Sequence, residues 1–363
     1  METNVNSKTR LTLKDRVKYW TARPLEGHKL QSTETLLTQT LGVKKASRFR
    51  LGETAKAWIA LIPALIFLIL FMIYPILNSF IMSFIVNFSW QRGTGTSFAI
   101  SHFIAALSSD RIVGGLPYIG FDNFIKLWSD PIFINALENT ILMVIVSVPL
   151  TIIIGLLLAV AIYSIKPLQG FFQTVFFLPY VTNTIALGMV FAIIFGDTGL
   201  FNTVFHLGDL QWITDGADRW NMFFVIVVYA IWNGLAFKIL VFMSGLASID
   251  KQYYDAAKID GASRATIFRR ITVPLLSPQI LYITITSFIG AFKSYTQIIS
   301  LFGGGATNFG GTNDMEWITV VGYIYRYMTE KVDYAAAGSV TLLLIILLIT
   351  LVQMAVSKKR VHY

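Results

Sequence analysis

The sequence predicts an all-α integral membrane protein with six transmembrane helices. Of its 363 residues, 55% are hydrophobic and only 13% are charged, and the mean hydropathy is +0.64, a balance unlike that of a soluble domain. Six apolar runs are each long enough to cross a hydrocarbon core of roughly 30 Å as a helix. Helices are expected because backbone groups in lipid must be hydrogen-bonded within the segment itself.

The apolar runs set the domain organisation. A basic N-terminal tail at residues 1–55 precedes a transmembrane domain at 56–357, and a basic C-terminal tail follows at 358–363. The N-terminal tail is either a helix lying on anionic lipid or a weakly ordered segment. The 56 residues before the first run include 12 Lys or Arg, so this run begins too late for a cleaved signal. The six spans are expected at about residues 57–80, 137–163, 170–195, 222–246, 280–302 and 335–356.

Basic residues indicate the orientation of these spans. If the N-terminus is cytoplasmic, 21 Lys or Arg fall on the cytoplasmic side and 6 on the external side. This asymmetry predicts that both termini and the polar segment 250–278 are cytoplasmic. The segment EWITVVGYIYRYM at 316–328 is too short to span and is expected as an external helix near the interface. Lys238 and Lys293 remain inside predicted spans.

Several classes of chemistry are excluded. The chain has no cysteine, which removes disulfides and thiolate sites, and its four scattered histidines do not predict a metal site. The net charge of +9 is explained by the cytoplasmic bias, so no nucleic-acid partner is expected. No GxxxxGK[ST] phosphate loop occurs, so this chain is not expected to bind ATP. No catalytic residue is predicted.

The polar segment 250–278 reads as two short helices hinged at a glycine. Asp250 is placed to cap the first helix, and Gly261 to end it. Ser263 is placed to cap the second helix, which would turn Phe268 inward and end at Pro274 and Pro278. Judged only from these capping and termination signals, the segment is as consistent with an ordinary connector as with a docking element.

A resemblance favours a specific function for this segment. YYDAAKIDGASRATIFRRITVPLL at 253–276 resembles the EAA loop of permease subunits of bacterial ATP-binding-cassette importers. Asp255 stands where that family usually has Glu, and Asp250 where it commonly has proline. The resemblance implies a coupling element that docks in a groove of a cytoplasmic ATPase subunit. The expected coupling residues are Tyr254, Asp255, Ala256, Ala257, Asp260, Gly261, Ala262, Phe268, Ile271 and Pro274.

From about Gly120 onward, the chain is similar to the carbohydrate branch of these permeases. LPYVTNTIALGMVF at 178–191 and TSFIGAFKSYTQI at 286–298 carry this similarity, whereas the external loop at 301–305 departs from the family pattern. The resemblance implies a MetI/MalF-like permease fold in the bacterial cytoplasmic membrane. The implied partners are a second permease subunit, two copies of an ATPase that binds ATP and Mg, an extracytoplasmic solute-binding protein, a saccharide and membrane lipid.

Polar residues inside spans are candidates for the transport pathway, because leaving them in lipid is costly. In the similar sugar permeases, the two spans that flank the coupling segment line the central cavity. The alternative is that these residues only pack helices together. The substrate-binding candidates are Asn233, Gly234, Phe237, Lys238, Ser287, Lys293, Ser294, Tyr295 and Gln297.

The expected function is therefore saccharide import by alternating access, driven by ATP hydrolysis in partner subunits. An importer of another solute, such as a phosphodiester or amino acid, is an alternative with the same coupling loop. An intramembrane enzyme would need carboxylates or a histidine pair within the spans, and the sequence offers neither. The two intramembrane lysines require a water-filled cavity, a partner carboxylate or an anionic ligand; hydrogen bonds to a neutral sugar are the other reading.

Overall fold

A computed structural model describes residues 52–87, 118–214, 216–303, 308–311 and 314–357. Residues 1–67 and 68–363 form two units. Nearly all of the predicted N-terminal tail, the predicted C-terminal tail and parts of the external loops lie outside the described residues.

The described chain is almost wholly helical, with one short antiparallel pair of strands in which Ile85 faces Ile119. Three other turns interrupt or join the helices: π-helical turns at Ile69–Ile73 and Phe268–Thr272, and a 3₁₀ turn at Lys166–Leu168. The elements are α1 Glu53–Leu68, α2 Tyr74–Ser83, β1 Ile85–Val86, β2 Tyr118–Ile119, α3 Asp122–Ser129, α4 Pro131–Ser164, α5 Gln169–Val181, α6 Thr184–Ile194, α7 Leu200–Phe205, α8 Arg219–Ser248, α9 Lys251–Ile259, α10 Arg264–Ile267, α11 Val273–Leu275, α12 Ser277–Phe292, α13 Thr296–Leu301, α14 Val320–Tyr327 and α15 Val332–Ser357.

Within the described ranges, four helices are long and apolar enough to cross a membrane. They are Thr54–Ser83, α4, α8 and α15. Two bent helix pairs raise the number to six if each pair is one span: one bends by 101° between α5 and α6, and the other by 67° between α11 and α12. The all-α membrane fold predicted from the sequence is thus confirmed, with four unbroken candidate spans and two bent pairs that would complete the predicted six.

The predicted span 170–195 is two helices rather than one. Pro179 lies near the end of α5, and Thr182 adopts an extended backbone (φ −82°, ψ 148°). Asn183 then caps α6 by accepting a hydrogen bond from the Ile185 amide at 2.8 Å. Proline and asparagine together end one helix and start the next, which a hydropathy window does not register.

The predicted span 280–302 is also interrupted. α12 ends at Phe292, where the amides of Lys293 and Ser294 bond back to Gly290 and Ala291 at 3.2 and 3.1 Å. The freed carbonyl of Ser294 accepts a hydrogen bond from the Thr319 hydroxyl at 2.8 Å. The break persists because a distant side chain satisfies the backbone group that leaves the helix.

The core lies along α4 and α8, the two central spans. Tyr229 of α8 is 1% exposed, and Met143 of α4 is 3% exposed. Other faces of the same helices leave large apolar side chains open, such as Ile145 at 60% and Ile153 at 55%. In a chain with membrane spans, such faces meet lipid or another subunit rather than water.

Buried polar side chains bind the N-terminal end of α4 to the segment before α14. Asn139 Nδ2 donates to the carbonyls of Glu316 and Ile318 at 2.9 and 3.0 Å. Its Oδ1 accepts from Arg219 Nη2 at 2.6 Å, and Arg219 also pairs with the Glu316 carboxylate at 2.7 Å. This polar network joins α4 and α8 at one end of the bundle.

We expect Asn139→Ala to lower the free energy of unfolding by about 2 kcal/mol, because it removes buried hydrogen bonds from two backbone carbonyls. The measurement is thermal unfolding of the purified full chain in detergent. Asn135→Ala is the matched control, since Asn135 lies one turn away on α4 and makes a single long bond of 3.4 Å to the Met315 carbonyl. Equal losses from both substitutions would contradict a special role for Asn139.

Candidate functional site

A pocket of about 250 Å³ lies between α4, α8, α12 and α13. Its wall mixes hydroxyl, amide, aromatic and cationic side chains with small residues. The lining residues are Met143, Ser147, Val148, Thr151, Ala230, Gly234, Phe237, Lys238, Thr286, Ser287, Gly290, Ala291 and Gln297.

Helix α8 supplies the aromatic and cationic groups. Gly234, Phe237 and Lys238 stand at i, i+3 and i+4 and therefore share one face of the helix. The Phe237 ring stacks on Tyr180 with ring centroids 6.2 Å apart, and Tyr282 lies 6.3 Å from it on the α12 side. The pocket thus has one aromatic ring, Phe237, beside a basic group, and two tyrosines outside the pocket pack against that ring.

Lys238 is enclosed by neutral groups. Its side chain is buried at 8% exposure, and within the described part of the chain Nζ donates to the Gly234 carbonyl at 3.2 Å. A Cβ atom added at Gly234 would lie 3.1 Å from that Nζ, and one at Gly155 of α4 would lie 3.1 Å from the Lys238 Cβ. Two glycines on neighbouring helices therefore make room for this lysine.

Gln297 enters the pocket from α13, just after the break in the predicted fifth span. Its Nε2 donates to Asn233 Oδ1 at 3.1 Å, and its Oε1 accepts from the Ser294 hydroxyl at 3.1 Å. Asn233 and Ser294 do not line the pocket themselves. They hold the orientation of the Gln297 amide.

The structure brings together seven of the nine substrate-binding candidates. Gly234, Phe237, Lys238, Ser287 and Gln297 line the pocket, and Asn233 and Ser294 contact it through Gln297. The other two, Lys293 and Tyr295, lie in the break between α12 and α13, and their side chains contact other parts of the structure. Lys293 is exposed beside an apolar groove of α14 and α15, and Tyr295 stacks on Tyr325 with ring centroids 4.2 Å apart.

The sequence reasoning missed the α4 wall. Ser147 and Thr151 are buried at 4% and 3% exposure and line the pocket. They are four residues apart in an otherwise apolar run, so they share a helix face. This spacing was the available signal.

The polar segment 250–278 folds as two helices joined at Gly261, as the sequence predicts. Asp250 accepts from the Gln252 amide at 3.0 Å, and Ser263 accepts from the Thr266 amide at 3.2 Å. Gly261 has φ +72°, and the Ala262 amide bonds back to the Ala257 carbonyl at 2.9 Å. Both predicted caps and the glycine stop are confirmed.

The second helix ends at Leu275, between Pro274 and Pro278, as the sequence predicts, but it contains a π-helical turn that the sequence analysis did not predict. Helical structure runs from Arg264 to Leu275 through the π-helical turn, and the 67° bend follows before α12. The wide turn lets the Val273 amide bond to the Phe268 carbonyl, five residues back. Proline has no amide to place in the regular ladder, so a local π turn accommodates it.

The two-helix segment presents a shallow groove of about 500 Å³. Ile259 at its tip is 86% exposed, and Asp255 pairs with Lys258 at 3.0 Å in an exposed ion pair that contributes little stability. Of the expected coupling residues, Asp255, Ala256, Asp260, Gly261 and Pro274 are exposed; Tyr254, Ala262, Phe268 and Ile271 are partly buried and Ala257 is buried. The segment therefore exposes one large apolar side chain, Ile259, beside a groove on a mostly polar surface.

We expect Gly188→Ala to destabilise the protein and to lower transport. A methyl group at Gly188 of α6 would overlap the Ser300 side chain and lie 3.0 Å from its backbone carbon, so α13, which carries Gln297, must shift. Gly170→Ala is the control, because nothing lies within 4 Å of the added atom. The measurements are thermal unfolding of the full chain and solute uptake by cells. A Gly188→Ala protein indistinguishable from Gly170→Ala would show that this contact does not position α13.

Comparison with known proteins finds transport permeases among the similar sequences. The lactose transport system permease protein LacF of Rhizobium radiobacter is 31% identical over 68% of this chain and 83% of its own length. The arabinooligosaccharides transport system permease protein AraP of Halalkalibacterium halodurans is 32% identical over 64% of this chain and 74% of its own.

A solved structure supports the fold. A chain of a bacterial ABC transporter involved in the import of the acidic polysaccharide alginate superposes with a TM-score of 0.67 at 21% identity, covering 84% of this chain and 95% of that one. The same kind of transporter, in complex with an alginate pentasaccharide-bound periplasmic protein, superposes with a TM-score of 0.64. Residues 131–362 match the family described as binding-protein-dependent transport system inner membrane component. The chain belongs to that family.

Proposed function

We propose that this chain is one permease subunit of an importer that carries a saccharide across the cytoplasmic membrane by alternating access. The observation that carries the proposal is a direct covalent connection between pocket and coupling surface. α8 ends at Ser248 and α9 begins at Lys251, while α11 ends at Leu275 and α12 begins at Ser277. The two helices that wall the pocket on either side of the coupling segment would therefore move with it.

The chemistry of the pocket supports a saccharide. A sugar ring has apolar faces that stack on aromatic rings and a belt of hydroxyls that hydrogen-bond to amides and hydroxyls. Phe237 supplies an aromatic face; Ser147, Thr151, Thr286, Ser287 and Gln297 supply polar groups. The names of the similar permeases, which refer to lactose and arabinooligosaccharides, agree with this reading.

The size of the pocket supports a second permease subunit. A pocket of about 250 Å³ is below the roughly 300 to 1,000 Å³ usual for small-molecule sites. Large apolar faces remain open on the spans around it, such as Ile153 of α4 at 55% exposure. A companion permease would cover such a face and complete the pathway from the other side.

The remaining partners follow from the two ends of the bundle. At the coupling segment, the exposed Ile259 and the groove around Ala256 and Asp260 would dock an ATPase subunit that binds ATP and Mg. At the other end, the partly exposed side chains of Arg219 and Glu316, bonded to each other and to the buried Asn139, would form part of the surface for a solute-binding protein. The chain itself would be a transport subunit and not the ATPase.

The orientation is a prediction. Because the basic residues divide 21 to 6, we expect Lys258 to face the cytoplasm and Lys331 the outside. Single cysteines at these two exposed positions of a cysteine-free chain test it with a membrane-impermeant maleimide. Lys331→Cys should react in intact cells, and Lys258→Cys only after permeabilisation. Labelling of Lys258→Cys in intact cells would overturn both the orientation and the coupling proposal.

The proposed function is tested at Gly261. We expect Gly261→Trp to abolish uptake of labelled saccharides and to uncouple ATP hydrolysis from uptake, because a bulky side chain disfavours φ +72° and obstructs the docking face. Gly208→Trp is a closely matched control: its φ is +68°, and at both glycines nothing lies within 4 Å of an added Cβ.

The two variants separate backbone strain from docking. Gly208→Trp should reach the membrane and transport at close to the normal rate. Normal coupled transport by Gly261→Trp, or equal loss in both variants, would remove the coupling assignment. If deletion of the chain leaves uptake of every saccharide unchanged, the saccharide assignment is wrong.

A further inference from the structure

The pocket holds a buried cation that its own chain does not neutralise. Lys238 lies within the span α8 at 8% exposure. Among the described residues that line the pocket, none carries a carboxylate. A buried ammonium group is costly unless it is paired. The Gly234 carbonyl at 3.2 Å satisfies one of its three donors and none of its charge.

The surrounding backbone is shaped to keep the ammonium group at this place. The glycines at 155 and 234 leave space that a methyl group would occupy at 3.1 Å from the lysine side chain. Thr151 stands on the other side of the same space, with its methyl carbon 3.2 Å from an added Cβ at Gly234. The Nζ atom is therefore confined among α4 and α8 rather than free to reach a membrane surface.

We propose that the pocket accepts a saccharide that carries a carboxylate, and that the Lys238 ammonium group binds this carboxylate. The inference rests on the proposed saccharide transport and names the chemical class within it. The hydroxyl and amide groups of Thr151, Ser287 and Gln297 then bind the ring hydroxyls, while Phe237 faces the ring. An uncharged amide in place of Lys238 could hydrogen-bond the hydroxyls of a neutral sugar equally well, without the cost of burying a charge.

The test measures uptake in the native host, with the companion subunits present. The substrates are labelled oligouronates, made from galacturonate, glucuronate and guluronate, and the neutral oligosaccharides obtained by reducing their carboxyl groups. The chain is replaced by Lys238→Gln, Lys238→Arg or Gly234→Ala, and its amount in the membrane is measured for each. Lys293→Gln is the matched control, because Lys293 is the other lysine of a predicted span and lies outside the pocket.

The expected result is selective. Lys238→Gln lowers uptake of the oligouronates by roughly 30-fold and that of the neutral forms by no more than about threefold. Lys238→Arg keeps the preference for the acidic forms. Gly234→Ala lowers uptake of the acidic forms because its new methyl group displaces the ammonium group. Lys293→Gln changes neither.

Three outcomes would overturn the inference. One is a parent transporter that imports neutral saccharides only, which leaves the proposed function intact. A second is that Lys238→Gln lowers acidic and neutral uptake equally, or removes the chain from the membrane. Either result would mean that Lys238 has a structural role, such as pairing with a carboxylate of the companion subunit. The last is no saccharide uptake by the parent transporter, which refutes the proposed function as well.

Discussion

Backbone and side-chain polar groups inside a membrane have no water to bond, and the described structure depends on this constraint more than on any other. It requires long helices in α4, α8 and α15. It also explains why a dedicated side chain bonds the backbone at the break in each of the predicted third and fifth spans. Asn183 caps α6 where the predicted third span breaks, and the Thr319 hydroxyl takes up the Ser294 carbonyl where the predicted fifth span breaks.

These departures are what make a pocket possible. A straight helix through 280–302 would carry Gln297 along the axis of α12. The break after Phe292 instead lets α13 turn and pack on α6 at Gly188, close against Ser300. Gln297 then meets Asn233 of α8 and enters the cavity. Polar side chains in the spans thus hydrogen-bond to one another, and several of the remaining polar groups line the pocket.

Helix α8 also connects the pocket to the coupling segment 250–278, where the ATPase subunit would dock. α8 runs from the Arg219 network at one end of the bundle, past Lys238, to the cap of the two-helix segment at the other. Asn139 and Glu316 hold Arg219 at its N-terminal end. At its C-terminal end only two extended residues, Ile249 and Asp250, separate it from α9, whose first turn the Asp250 side chain caps. A movement of the coupling segment would therefore reach the pocket through a continuous helix rather than a flexible loop.

The membrane class, the caps at Asp250 and Ser263 and the left-handed Gly261 could be predicted from the sequence, because apolar length and capping chemistry are local properties. The family could be predicted from the motif at 253–276. The sequence also indicated Gly234, Phe237 and Lys238 as candidates for substrate binding within one predicted span. Only the tertiary structure decided that Ser147 and Thr151 complete the pocket and that Lys293 lies outside it. The physical reason is that a polar residue in a span is equally consistent with packing and with a cavity. The choice depends on where the neighbouring helices bend, and long-range bonds such as Thr319 to Ser294 set those bends.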